Sequence, residues 1–342
     1  MSKKHLIPLR YALLAVLTGC SLIDEDMRDC ESDHVLDYRL SLSITLTTEL
    51  QTQISTQTEL SAVASALQAH LSAMFTDYAR DVNLSFYDVS GDNDLLHNET
   101  HEMDASQHSY TLYIPVRRYM HLALANIRRT APGEGLDMEL KDSLRSHTST
   151  LEISAEAVKD GSKNIIKSQN TGIFSARLPM DIKEGENRQF EVEMYMVNCA
   201  SALALDTLGS GVRDIKVYAS GFANGFRICD STYVRSVNYS VEADEVKVDD
   251  GRFASYCAVN LPSRDPDTKA DAPLWDYTIY ATCQDGSVTR TVLGVTVPLE
   301  AGGFKLIRSK MEADGSVVPR ESYVGASVTL NWSEGASWVV DF

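Results

Sequence analysis
A chain of 342 residues with 44% hydrophobic content is long enough for two domains and apolar enough to build real cores. Its 48 acidic residues outweigh 31 basic ones, and a formal net charge of −17 sets the surface against nucleic acid and anionic lipid headgroups.

Lys3, Lys4 and Arg10 precede a short apolar run, Tyr11 to Leu17. A run of that size falls well short of the roughly 20 residues needed to span a bilayer, so residues 1–19 form a removable export signal. The signal ends in Leu17-Thr18-Gly19-Cys20, which looks like a bacterial lipobox, with Cys20 as the lipidated first residue of the mature chain. The alternative is an ordinary secretory signal followed by a chance cysteine. Loss of the three signal cations takes the formal net charge from −17 to −20, so membrane attachment has to come from acyl chains. Residues 20–35 form a tether too acidic to pack, with Asp24, Glu25, Asp26, Asp29, Glu31 and Asp33.

Order begins at Tyr38, where Tyr38, Leu40, Leu42, Ile44 and Leu46 alternate with polar residues, the pattern of a strand with one buried face. Leu60, Val63, Leu67, Leu71, Met74 and Tyr78 then recur at helical spacing behind Thr56 and Glu59, which read as a capping box. Strand patterns resume at Val82/Leu84/Phe86, Tyr110/Leu112/Ile114 and Leu122/Leu124, with Leu151/Ile153 a short last strand. Asp160-Gly161-Ser162-Lys163-Asn164 reads as a break. The first domain is therefore expected over 36–168 and the second over 169–342.

The second half carries almost no helical periodicity. Alternation recurs at Phe174/Ala176/Leu178/Met180, Phe190/Val192/Met194/Met196, Ile215/Val217/Ala219, Val237/Tyr239/Val241, Trp275/Tyr277/Ile279, Val288/Val292, Phe304/Leu306 and Val328/Leu330/Trp332. Gln284-Asp285-Gly286-Ser287 between two such runs is a hairpin signal. Short strands separated by polar turns predict an antiparallel β-sandwich.

No catalytic residues are expected: there is no Gly-x-Ser-x-Gly elbow, His-Glu-x-x-His, phosphate loop or dinucleotide fingerprint. No metal or cofactor is expected either. His97, His101 and His108 read as solvated loop residues, and Asp88, Asp92, Asn93 and Asp94 as a turn. Trp275 and Trp332 share faces with apolar strand residues and read as core rather than as a sugar platform. Export permits disulfides among Cys199, Cys229, Cys257 and Cys283, in any of three pairings, or the four are buried free thiols.

Several stretches carry a resemblance. Cys20-Ser-Leu-Ile-Asp-Glu-Asp-Met-Arg-Asp-Cys30, Leu36-Asp-Tyr-Arg-Leu-Ser-Leu42 and Thr47-Thr-Glu-Leu50 are similar to the lipoprotein anchor subunits of Bacteroidales fimbriae, the FimB-type or minor-fimbria-anchor family. Val82-Asn-Leu-Ser-Phe-Tyr-Asp88, Met194-Tyr-Met-Val-Asn-Cys199, Ala219-Ser-Gly-Phe-Ala-Asn-Gly-Phe226 and Asp230-Ser-Thr-Tyr233 extend it over nearly the whole mature chain. The acidic tether resembles the signal that displays Bacteroidales lipoproteins on the outer face of the outer membrane. Asp142-Ser-Leu144, Asp206-Thr-Leu208 and Asp230-Ser-Thr232 resemble O-glycosylation sequons of the same bacteria.

The resemblance implies two tandem transthyretin-like β-sandwich domains, with the amphipathic helix in the first. It implies a non-enzymatic outer-membrane lipoprotein that anchors a fimbria and ends its growth by β-strand exchange with a shaft subunit. The first strand lies just beyond the lipid tether, so it is expected to stay in place and leave the molecule able only to donate. Trp338, Val339, Val340 and Phe342, behind a Glu-Gly-Ala-Ser hinge, form the candidate donor strand, or else an ordinary terminal strand. The expected partners are a fimbrial shaft protein and the outer membrane, with no nucleic acid and no small-molecule substrate. The alternative reading is a surface glycan-binding lipoprotein of a nutrient-uptake system; a β-sandwich hydrolase would need two facing carboxylates.

Overall fold
The computed structural model describes residues 34–43, 58–75, 80–91, 95–102, 109–127, 138–140, 150–153, 164–183, 189–207, 211–265 and 272–332. The first strands are His34–Ser43 (β1), Asp81–Asp88 (β2), Leu95–Glu102 (β3), Ser109–Ile114 (β4), Arg118–Ala125 (β5), Met138–Leu140 (β6), Thr150–Ile153 (β7) and Ile165–Lys167 (β8). Phe174–Asp181 (β9), Gln189–Met196 (β10), Cys199–Asp206 (β11), Val212–Ser220 (β12), Gly225–Arg227 (β13), Thr232–Val234 (β14), Ser240–Glu242 (β15) and Asp244–Val246 (β16) follow. The last are Phe253–Asn260 (β17), Trp275–Cys283 (β18), Val288–Val295 (β19), Phe304–Met311 (β20), Val317–Pro319 (β21) and Val324–Trp332 (β22). One α-helix, Ser61–Met74 (α1), stands among them.

Among the described residues the protein is mainly β, and the strands form four sheets. Seven strands run β3-β2-β5-β9-β10-β1-β4, five run β16-β17-β11-β20-β21, six run β22-β19-β18-β12-β15-β8, and four run β14-β13-β7-β6. The seven-stranded sheet is nearly divided, because β9 and β10 meet only at Ser175↔Tyr195 and Phe174↔Met196. Its two parts share one hydrophobic cluster, Leu84, Phe86 and Ala123 from one part with Leu112, Val192 and Met194 from the other. Its end strands also approach, with the His101 ring on β3 4.1 Å from the Tyr110 ring on β4. That is a sandwich folded at the β9–β10 seam. A second sandwich forms where Leu203, Leu205 and Ile307 of the five-stranded sheet pack with Val217, Ile279 and Leu293 of the six-stranded one.

The five-stranded sheet is covered on its other face too. Ala200, Ala202 and Ala204 of β11, with Cys257 and Val259 of β17, belong to the cluster that includes Val63, Leu67 and Leu71 of α1. The helix contacts β16 and β17 directly. Every residue of β11 is buried, as in a strand covered on both sides. Small alanines on one face admit the helix, while leucines on the other fill the sandwich.

The chain therefore interleaves. β9 and β10, beyond residue 168, belong to the first sheet, while β7 of the first half pairs with β13 and β8 pairs with β15. Asn198 holds the crossing from β10 to β11. Its Nδ2 donates to Gln169 Oε1 and Thr171 O, both at 2.9 Å, and its Oδ1 accepts from Ile173 N at 3.1 Å. A fully buried amide can be kept here because both its ends are satisfied.

One local reading is corrected and one is not reached. A 3-10 turn, Thr58–Leu60, leads into α1, whose N-cap Leu60 has no side-chain cap bond, and Thr56 of the expected capping box lies outside the described residues. His97 and His101 lie on β3 rather than in a loop. Their strand was illegible because its inward set includes His97, Glu99 and His101, so polarity is continuous where alternation marks a strand. His108 and the 92–94 turn also lie outside the described residues. The first strand starts at His34, earlier than the alternation suggested. The 284–287 hairpin forms, with Cys283 N donating to Ser287 O at 2.8 Å and Gly286 at φ 87°.

His121 on β5 is fully buried, stacked on Phe86 with ring centroids 4.3 Å apart, and its Nδ1–H donates to Ser85 O at 3.0 Å. Burial pushes its pKa down to about 4 from 6.5. Between those values the unfolded chain takes up a proton that the folded chain refuses. The stability present above pH 6.5 is thus lost as pH falls towards 4, by about 3 kcal/mol. Urea unfolding at pH 7 and pH 4 should show the native chain losing that much more than His121→Phe.

Candidate interaction surface
The residues proposed from sequence fall into two groups. Cys20 and the tail residues Trp338, Val339, Val340 and Phe342 lie outside the described residues. Cys199, Cys229, Cys257 and Cys283 are free thiols in this structure. Cys199 and Cys257 stand on adjacent strands but belong to different hydrophobic clusters, on opposite faces of one sheet. Cys199 Sγ donates to Asn260 Oδ1 at 3.3 Å, and burial pushes both thiols up. They act as small apolar side chains.

Trp275 is core, 1% exposed, with Nε1–H donating to Val297 O at 2.9 Å; the Trp332 side chain lies outside the described residues. Glu99 sits between two imidazoles, 2.5 Å from His97 Nε2 and 2.9 Å from His101 Nε2. Among the described residues no group of three His, Cys, Asp or Glu is placed to hold a metal. Of the sequon-like triplets, Asp206 is buried against Arg252 at 2.7 Å, residues 142–144 lie outside the described residues, and Ser231 is exposed at the β13–β14 turn. Burial raises the Asp244 and Asp276 carboxyls. They stand on different sheets, β16 and β18.

The surface offers two features that sequence reasoning did not single out. The first is β22. Among the described residues it pairs with β19 alone, so one backbone edge is open. Its nine residues, Val-Gly-Ala-Ser-Val-Thr-Leu-Asn-Trp, contain no charge and no proline, the two devices that usually guard an edge strand. Val328 is 43% exposed. The strand runs directly into residues 333–342.

The second is a cleft of about 560 Å³ at the β9–β10 seam. β9 is held by β5 over its whole length and β10 by β1, so beyond Ser175 and Tyr195 the two strands part. Arg177 and Leu178 line one wall, Glu191, Glu193 and Tyr195 the other, and Tyr233 and Ser231 of the β13–β14 hairpin close one end. Tyr195 is 60% exposed, and its hydroxyl donates to Glu193 Oε2 at 3.2 Å, which raises the phenol's pKa. Tyr233 Oη donates to Val197 O at 2.7 Å, fixing the hairpin against the seam. The sequence did hold a signal: Glu191, Glu193 and Tyr195 occupy the outward positions of an alternating strand whose inward set is Val192, Met194 and Met196.

Fold and surface together define a multi-sheet β-sandwich protein with an open strand edge at β22. Solved structures share that fold. A candidate adhesin from Bacteroides thetaiotaomicron aligns with 88% of this chain and 98% of its own at 10% identity, with a TM-score of 0.53. A candidate cell adhesion protein from Bacteroides eggerthii aligns over 88% and 96% at 11% identity, with a TM-score of 0.50. The fimbrial anchor protein Mfa2 from Porphyromonas gingivalis aligns over 88% and 99% at 11% identity, with a TM-score of 0.43, too low to carry an argument. No family model matches the chain, and no curated protein sequence matches it.

Proposed function
We propose that this chain is an outer-membrane lipoprotein, attached through Cys20 and displayed on the cell surface, that anchors a fimbria by β-strand exchange with shaft subunits and ends its growth. The observation that carries the reading is β22, an uncharged edge strand continuous with the apolar tail Trp338-Val339-Val340-Asp341-Phe342. A tail that extends such a strand gains main-chain hydrogen bonds when donated to a partner's sheet edge, and its alternate side chains fill pockets there. The fold shared with the candidate adhesin and the candidate cell adhesion protein is compatible with that role.

The position of β1 supports a one-way exchange. It pairs with β10 on one side and β4 on the other, so the place that a foreign strand would need in that sheet is already filled. Withdrawing β1 would break two ladders and cut the folded body from its lipidated end. The tail is then the donor, and the shaft subunit the acceptor.

Deleting residues 334–342 should leave the protein folded and at normal abundance while fimbriae are shed into the medium. Retention of fimbriae at the undeleted level would overturn the donor role. Replacing Cys20 tests the attachment separately.

A further inference from the structure
The cleft at the β9–β10 seam is not used by an anchoring role, and its chemistry points elsewhere. It is held open by the fold: β9 makes eight register pairs with β5, β10 makes seven with β1, and the two make only two with each other. Neither strand can swing across without losing its ladder, so the gap is a fixed concavity. The inward residues Ala176, Val192 and Met196 are buried and apolar.

Above them stands Tyr195, 60% exposed. Its ring is therefore open to a ligand, and its place on the cleft wall is what distinguishes it from other exposed aromatics such as Tyr113. Polar groups of both kinds flank it. Glu191 and Glu193 accept hydrogen bonds, while Arg177 on the facing wall presents a planar set of donors. Ser231, held at φ 57° at the hairpin tip, adds a hydroxyl.

We propose that this cleft binds a neutral saccharide. A pyranose ring has an apolar C–H face suited to the Tyr195 ring and a rim of hydroxyls that both donate and accept. Carboxylates take the donated hydrogens and the guanidinium supplies the complementary ones. Two carboxylates against one guanidinium, on a chain of net charge −17, disfavour uronic or sialic acids. The inference is independent of fimbrial anchoring.

The test is affinity electrophoresis of the full mature chain through gels containing α-mannan, glycogen, neutral galactan or polygalacturonate. At least one neutral polymer should retard the native protein. Tyr195→Ala should weaken that retardation about tenfold, whereas Tyr195→Phe, which keeps the ring, should stay near the native value. Matched urea midpoints for all three chains establish that the fold is intact. Failure of every neutral polymer to retard the protein, preference for polygalacturonate, or unchanged retardation of Tyr195→Ala would each overturn the proposal. So would displacement of the bound polymer by a peptide of residues 333–342 with retardation otherwise insensitive to Tyr195, since the cleft would then be a strand-docking site. Fimbrial retention by cells carrying Tyr195→Ala is expected to be normal, which separates this result from the anchoring role.

Discussion

Cys20→Ala is expected to reduce recovery of the protein in the outer-membrane fraction at least tenfold. Each buried methylene of an acyl chain contributes about 0.8 kcal/mol, and stable attachment takes more than one chain. Among the described residues no helix is long and apolar enough to cross a membrane, and the formal charge of −17 repels anionic headgroups. The check is density fractionation of cells expressing the native and substituted chains, with a salt wash to remove loosely held protein. Substituted protein that stays in the outer-membrane fraction at the native level would overturn attachment through Cys20. The β-sheet core would be untouched by that outcome.

Gly221→Ala should destabilise the six-stranded sheet by about 3 kcal/mol or more. Gly221 sits at φ 94°, a region that side chains disfavour, and a Cβ there would lie 2.7 Å from Trp275 Cα and 2.8 Å from Leu274 O. Both contacts are backbone, so neither can rotate away. The displaced strand carries Trp275, whose ring lies 5.9 Å from Phe222 and 5.5 Å from Tyr277. Gly286→Ala is the internal control. It has a similar φ, 87°, but nothing within 4 Å of the added atom, so it should show only the conformational strain of about 1–2 kcal/mol. For a cooperative body of about 300 residues 3 kcal/mol corresponds to a fall in thermal midpoint of roughly 5 °C. Equal effects at both glycines would mean that the close approach to Trp275 is not the cause.

Much of the secondary structure was legible because it alternates. β4 reads exposed–buried along Ser109 to Ile114, and β10 does the same from Gln189 to Met196 with one half-buried position, Phe190. The helix announced itself through Val63, Leu67, Leu71 and Met74. β11 and β17 were missed for a shared reason: both are covered on two faces, so Cys-Ala-Ser-Ala-Leu-Ala-Leu-Asp and Phe-Ala-Ser-Tyr-Cys-Ala-Val-Asn show no period of two. The pairing of β10 with β1 was equally hidden, since a parallel ladder between strands far apart in sequence leaves no local trace. The seam cleft follows from that pairing. Tyr195 could be read as outward-facing from its alternation with Met194 and Met196, but only the parting of β9 from β10 turns that ring into the wall of a concavity.

The seat of α1 bears on how the chain is made. The helix rests on β16 and β17, strands that leave the ribosome long after it does. Until they arrive Val63, Leu67 and Leu71 lack the cover of the five-stranded sheet, so the leading portion stays incomplete until the remainder follows. Export in unfolded form, which the proposed surface location would require, suits such a polypeptide, because assembly waits for the entire length. Its weak moment is the interval before closure, when a nascent or clipped fragment presents a greasy helical stripe to any chaperone or protease it meets.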